Sequence, residues 1–341
     1  MAVAFVEPLF SFWVGRIDAR MAGMAGMAGL SERPGVPIMT TTTTSNPGWS
    51  RHRSLVALAV GYQWFYNGAN FLAFKVAGNA MHPLMVATLR LSLAALVVLP
   101  FALARWRRAS ASIREMGGAA LIGVIMLVAS QAIAIWAAHL LPAGVAAVFG
   151  SSAPLFLALF AWAVFRQSLT RRQVAGVASG FAGLALMGWS SARGSDFKPL
   201  GAVLALGGTA AWAAGSLLAR RLTLPRDSVI SLATQLTVAA AVLGAIVGVS
   251  GIAATTHLGR VPLHAWAALA FLVVASTLIG YAVFLTLNAQ VSTTLANTFN
   301  YAAPVIALGL SALLLHEPLS TIKLVSGGIA LMGVALMIEP K

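Results

Sequence analysis

From Leu55 onward the chain alternates between long apolar runs and short polar breaks. Runs stand near 55–75, 83–104, 117–138, 142–165, 172–190, 199–219, 228–250, 265–287, 293–315 and 321–339. Each has about the length a helix needs to cross bilayer hydrocarbon, roughly 17–25 residues. The breaks carry arginine and proline, as in "ARWRRASASIRE", "RQSLTRR" and "RRLTLPRD". A backbone in lipid must satisfy its own hydrogen bonds, so these runs predict helices. The expected fold class is an all-α integral membrane protein with ten transmembrane helices.

The pattern is written twice. Segment 131–187 aligns without gaps on 281–337 at an offset of 150, with Pro154 on Pro304, Phe149 on Phe299, Leu169 on Leu319 and Gly183 on Gly333. The earlier helices align at an offset of 145, with Lys75 on Arg220 and Arg90 on Gln235. Two units are expected, 55–190 and 199–339, each of five helices. Five is odd, so the second copy enters the membrane upside down. Such inverted repeats characterise secondary transporters, whose opposed halves can exchange outward- and inward-open shapes.

Composition agrees with lipid as the main solvent. Of 341 residues, 59% are hydrophobic and 9% charged, against about 25% charged in soluble domains. The mean hydropathy is +0.88. The formal charge of +14 comes from residues at the ends of apolar runs rather than from one basic domain, so no nucleic-acid partner is expected. With the N-terminus inside, Arg51, Arg53, Arg105, Arg107, Arg108, Arg114, Arg166, Arg171, Arg172, Arg220, Arg221, Arg226 and Lys341 are cytoplasmic. Lys75, Arg193, Lys198, Arg260 and Lys323 are outside. This bias places both termini in the cytoplasm.

The chain has no cysteine, which excludes disulfides and thiol chemistry. No lysine precedes Ser or Thr, so no phosphate-binding GxxxxGK[ST] loop is present and an ATP-driven pump is disfavoured. Residues 1–50 differ from the rest. "MAGMAGMAG", "TTTTT" and Pro34, Pro37 and Pro47 predict a disordered extension, with Met39 as an alternative start. Its apolar patch lacks a basic leader and makes a poor signal peptide.

Four stretches carry a resemblance: "NGANFLAFK" at 67–75 with Arg90, "APLFLALFAWAVFRQSLT" at 153–170, "AAWAAGSLLARR" at 210–221, and "APVIALGLSALLLHEPLS" at 303–320. Over 55–341 the chain resembles an EamA-domain protein of the drug/metabolite transporter superfamily. The resemblance implies a multi-pass carrier of the bacterial inner membrane, commonly an exporter of amino acids or related small metabolites. It departs from the family pattern where Asn67 replaces a tryptophan and Gln167 a glutamate; Glu317 keeps the second glutamate.

Candidate substrate-binding residues follow from polar groups inside apolar helices. Gln63, Asn67 and Asn70 share one face of helix 1, with Trp64 beside them. Thr293, Asn297, Asn300, Tyr301 and Pro304 share a face of helix 9. Ser151 and Ser152 hold the matching place on helix 4, and Gln131 adds an amide from helix 3. Pro154 and Pro304 are expected to kink their helices and to free the carbonyls of Gly150 and Asn300 towards a cavity. Arg90 is an intramembrane charge, costing about 2.5–3.5 kcal/mol at a helix centre. It suits a substrate carboxylate, or alternatively bonds to backbone carbonyls. Lys75 reads as an interfacial anchor, Glu317 as the initiator of helix 10, and the glycines of helices 5 and 10 as close-packing scaffold.

These residues predict a secondary transporter, probed against two other readings. A serine hydrolase would need His139 to reach Ser151 or Ser152 in mid-helix, and no enzyme is expected. A channel or non-transporting sensor is the alternative. The expected partners are a small-molecule substrate, the lipid bilayer, and a proton or exchanged solute. Neither metal nor cofactor is predicted. The acids beyond residue 55 sit at helix ends or in loops, so a coupled proton would fall to a histidine such as His139 or His316.

Overall fold

The computed structural model describes residues 47–109, 111–192, 197–291, 295 and 298–337. They form helices and turns without a strand. The expectation for 1–50 lies outside them up to residue 46, while Pro47–Ser50 already form the first turn of a helix.

The longer helices among the described residues follow in order. These are α1 (Pro47–Ala80), α2 (Pro83–Ala109), α3 (Ile113–Leu140) and α4, split into α4a (Ala143–Gly150) and α4b (Ala153–Phe165). Next come α5 (Arg171–Ser191), α6 (Pro199–Ala219) and α7 (Ser228–Val249). The last are α8 (Leu263–Phe271, Leu272–Ile279 and Gly280–Gln290 in continuous succession), α9 (Phe299–Leu314) and α10 (Thr321–Leu336). By length and composition, α2 to α8 can cross a membrane, whereas α9 and α10 are apolar but shorter. Helix α1 is the longest, 34 residues, and carries Gln63, Asn67, Asn70 and Lys75.

Local chemistry starts these helices where the polar breaks stand. Ser112 and Glu115 form a reciprocal capping box on α3, and Thr170 and Gln173 form one on α5. The Asp227 carboxylate accepts the Val229 and Ile230 amides at the start of α7. Ser320, and not Glu317, caps α10 by accepting the Lys323 amide at 3.3 Å.

Positions paired by the expected repeat frame adopt matching conformations. Arg166 and His316, 150 apart, have φ of 53° and 55° after α4b and α9. In the same frame the Gln167 amide donates to Ala161 and the Glu317 amide to Ser311, both at 3.2 Å. The third helix of each unit contains a π-helical segment, Val124–Ala132 in α3 and Leu272–Ile279 in α8.

Packing follows the same frame. Helix α2 packs on α7 and α5 on α10, each against its own counterpart. Helix α1 packs on α9, and α6 on α4a and α4b, so those partners are exchanged between units. The α5–α10 crossing depends on glycine: a Cβ on Gly183 would collide with the Ala330 amide, and one on Gly333 with that of Gly180. A Cβ on Gly176 would meet Gly333 and Leu336, so rising numbers in one helix meet falling numbers in the other and the pair is antiparallel.

Candidate functional site

Arg90 lies two turns into α2, where α1, α2 and the π-helical segments of α3 and α8 meet. It is 6% exposed. Its Nε donates to Thr277 Oγ1 at 2.9 Å, Nη1 to Gln131 Oε1 at 3.1 Å and Nη2 to Ser276 Oγ at 3.2 Å. The guanidinium carbon stands 5.4 Å from the centre of the Phe74 ring, a cation–π distance.

The π-helical backbone explains part of this cradle. The Thr277 hydroxyl donates to the Leu272 carbonyl, five residues back, at 2.8 Å. That bond uses its proton and leaves the oxygen lone pairs for Arg90 Nε. Gln131 lies in the first unit's own π-segment, Val124–Ala132. Extra-wide turns of this kind often occur at functional sites because they turn side chains out of the regular helical register.

Every acceptor on Arg90 among the described residues is neutral. Its counterpart Gln235 donates its amide to Ser231 Oγ at 3.1 Å, so one member of the pair carries charge and the other does not. A buried guanidinium held only by dipoles retains its attraction for an anion, because low polarisability around it weakens screening.

The other sequence candidates divide. Gln63 is 2% exposed on the inner side of α1. Asn67 donates to the Gln63 carbonyl at 2.8 Å. Asn70 is 9% exposed, and its Oδ1 is buried with no hydrogen-bond partner. Trp64 faces differently: it is partly exposed and its indole N–H donates to Thr298 Oγ1 at 2.9 Å, near the start of α9.

Ser151 and Ser152 are buried, but their hydroxyls donate to the Val148 and Phe149 carbonyls at 2.7 and 2.6 Å. They form a helix break, not a kink. Helix α4a ends at Gly150, and Pro154 is the second residue of α4b, where its missing N–H costs least. Pro304 lies inside α9, on its second turn. Asn300 is half-buried on the first turn of α9. The Tyr301 hydroxyl donates to the Val334 carbonyl of α10 at 3.2 Å, which ties it to another helix. Asn297 and Thr293 lie outside the described residues.

The Lys75 ammonium donates to the Leu141 carbonyl at 2.8 Å and stands 3.4 Å from Glu317 Oε1. One expectation about charge is corrected. Glu317 accepts the amide of Ala143, the first residue of α4a, at 2.9 Å rather than starting α10. Sequence reasoning also missed Ser276, Thr277 and Phe74. The Ser-Thr pair within the apolar run 272–279 was the available signal.

Seven helices long and apolar enough to cross a membrane, with two shorter apolar ones, around an arginine bonded to neutral groups among the described residues define a multi-pass helical membrane protein. The chain belongs to the EamA-like transporter family, whose model matches it twice, over residues 55–189 and 199–339. It is similar to the Escherichia coli K12 protein called "Uncharacterized inner membrane transporter YedA", 29% identical over 272 residues, covering 79% of this chain and 86% of that one. It is also similar to the "Uncharacterized transporter YvbV" of Bacillus subtilis 168, 26% identical, with 81% and 88% covered. A third relative, the "Probable amino-acid metabolite efflux pump" of E. coli K12, is 26% identical over 83% of this chain and 94% of its own. One solved crystal structure, 21% identical, superposes with a TM-score of 0.58 over 83% of this chain and 96% of its own; at that identity it speaks for the fold alone. The protein is a membrane transporter.

Proposed function

We propose that the protein is a secondary transporter that exports amino acids or related small polar or amphipathic metabolites across the bacterial inner membrane. It works by alternating access between two inverted units of five helices, 55–190 and 199–339, with ten spans and both termini in the cytoplasm. Export against a gradient draws on a proton or an exchanged solute.

The observation that carries this reading is the position of Arg90. Helix α2 of the first unit supplies the charge, α3 of the same unit supplies Gln131, and α8 of the second supplies Ser276 and Thr277. A charge bonded to both units can sense their relative movement and can hold an anionic group between them. The exchange of helix partners between units supports the inverted arrangement, because antiparallel α5 and α10 meet through Gly180, Gly183, Ala330 and Gly333, which are equivalent in pairs. Relatives bearing transporter and efflux-pump names support the activity.

The test is overexpression in a bacterial host, followed by mass-spectrometric comparison of the medium with that of a vector control. Accumulation of an amino acid or a related metabolite outside the cells is expected. An unchanged medium at verified membrane expression would overturn export. Saturable counterflow of the identified compound in proteoliposomes is expected of a carrier, while linear, unsaturable flux would establish the channel alternative.

A further inference from the structure

Arg90 is a full positive charge whose hydrogen-bond acceptors, Thr277, Gln131 and Ser276, are all neutral. A guanidinium has five N–H donors, and these three bonds leave two without an acceptor among the described residues. The described carboxylates are engaged elsewhere. Glu115 bonds Ser112 in its own helix cap, Asp227 stands 3.6 Å from Arg105, and Glu317 stands 3.4 Å from Lys75.

On α1, Asn70 Oδ1 is an acceptor without a donor, in a residue 9% exposed. Tyr66, Asn70 and Phe74 are four residues apart and share one helix face. The Arg90 guanidinium lies 5.4 Å from the centre of the Phe74 ring. Asn70 lies one helical turn before Phe74 on the same face of α1, so the orphaned oxygen and the spare guanidinium donors belong to one stretch of interior.

We propose that Arg90 and Asn70 form one binding site for a monoanionic amino-acid derivative: a carboxylate against Arg90 and, next to it, a neutral N–H or O–H that donates to Asn70 Oδ1. 2-Hydroxy acids and N-acyl amino acids have this form. The inference deepens the export reading and rests on it.

Net charge separates this class from the free amino acid. A monoanion leaves ligand and guanidinium neutral together. A zwitterion brings an ammonium beside Arg90 and leaves one positive charge uncompensated where no described carboxylate offsets it. Like charges at close range in a weakly screening interior repel strongly. A hydroxyl or acylated amine satisfies Oδ1 without that repulsion. The rings of Phe74 and Tyr66 favour an apolar side chain on the ligand.

The test uses the purified full-length protein in detergent and its thermal unfolding midpoint. The probes are leucine, phenylalanine, their 2-hydroxy acids, N-acetyl derivatives and amides, and the donor-free 4-methylpentanoate and 3-phenylpropanoate. The 2-hydroxy and N-acetyl acids are expected to raise the midpoint at concentrations about tenfold below those the parent amino acids need, and the amides to have no effect. Asn70→Leu removes the advantage of the hydroxy acids over the donor-free acids. Asn70→Asp supplies Arg90 with an internal carboxylate; it is expected to raise the ligand-free midpoint and abolish the response to every anion. The proposal is overturned if the parent amino acids stabilise best, if amides match acids, if no compound shifts the wild type, or if Asn70→Leu leaves the preference intact. Each of these results would leave the export reading to stand on the medium comparison.

Discussion

Lys75 Nζ stands 3.4 Å from Glu317 Oε1, with side-chain exposures of 14% and 11%, and joins the two units at one end of the bundle. The pair is extended by backbone: Lys75 donates to the Leu141 carbonyl and Glu317 accepts the Ala143 amide. Three chain segments more than sixty residues apart thus meet at one ion pair. In the same repeat frame the equivalent positions are Arg220 and Gln167, one in each unit and both exposed, and with a neutral Gln167 they form no matching ion pair.

Removing one partner leaves the other charge partly buried and unpaired. Lys75→Met and Glu317→Gln are each expected to destabilise the protein by about 2 kcal/mol, below the 3–5 kcal/mol of fully buried pairs because water still reaches both groups. The double variant is expected to lose less than the sum of the singles. Denaturation midpoints of all four proteins, compared at one detergent concentration, check this; strictly additive losses would show that the charges do not interact.

The α5–α10 crossing gives a second expectation. Gly183→Val and Gly333→Val place a side chain against the partner helix backbone, so the helices must separate. Each is expected to cost about 2 kcal/mol or more through lost packing. Gly328→Ala is the control: nothing lies within 4 Å of its Cβ position, and it should be neutral or slightly stabilising. Thermal midpoints in detergent decide it, and equal effects at Gly333 and Gly328 would remove the close-packing argument.

His82 sits in the turn between α1 and α2, where its Nδ1 accepts the Leu84 amide at 3.2 Å and its ring meets Trp136 edge-on at 5.9 Å. Desolvation lowers its pKa below the usual histidine value. A lowered folded-state pKa means that protonation favours the unfolded chain. The contribution is therefore complete above the ordinary value near about 6.5 and is lost as pH falls towards the folded one. His82→Asn keeps a capping acceptor without titrating, and its midpoint should vary less with pH in this window than that of the wild type. Identical pH profiles would assign the dependence to other groups.

Basic residues crowd the connections after α2, α4 and α6, which predicts a cytoplasmic C-terminus. A fusion after Lys341 to a reporter active only in the cytoplasm is expected to work, and the same position should be silent with a reporter active only in the periplasm. The reverse result would break the count of ten spans.

Much of the local structure was legible along the chain. Pro83, Pro199 and the polar residues Ser112, Thr170, Asp227 and Ser320 stand where helices begin, because caps and prolines act within one turn. Arg90 and Gln131 were both marked by being polar in apolar runs, and they do meet. Neighbouring signals misled for the opposite reason. Ser151 and Ser152 were polar too, yet they satisfy themselves on carbonyls three residues back. Gly328 carries the same residue type as Gly333 but faces open space.

The sequence by itself determined that this chain would be helical, where its helices would start, and that two stretches 150 residues apart would match in detail. These properties depend on local hydrogen bonding and on the solvent a segment prefers. Tertiary structure alone decided that Thr277 and Ser276 would hold Arg90, that Glu317 would reach Lys75 and Ala143, and that Asn70 would keep an unpaired oxygen. In lipid, the outer face of a helix is as apolar as its buried face. Periodicity therefore cannot announce which neighbours a side chain will meet, and only the packing of helices far apart in sequence assigns the partners.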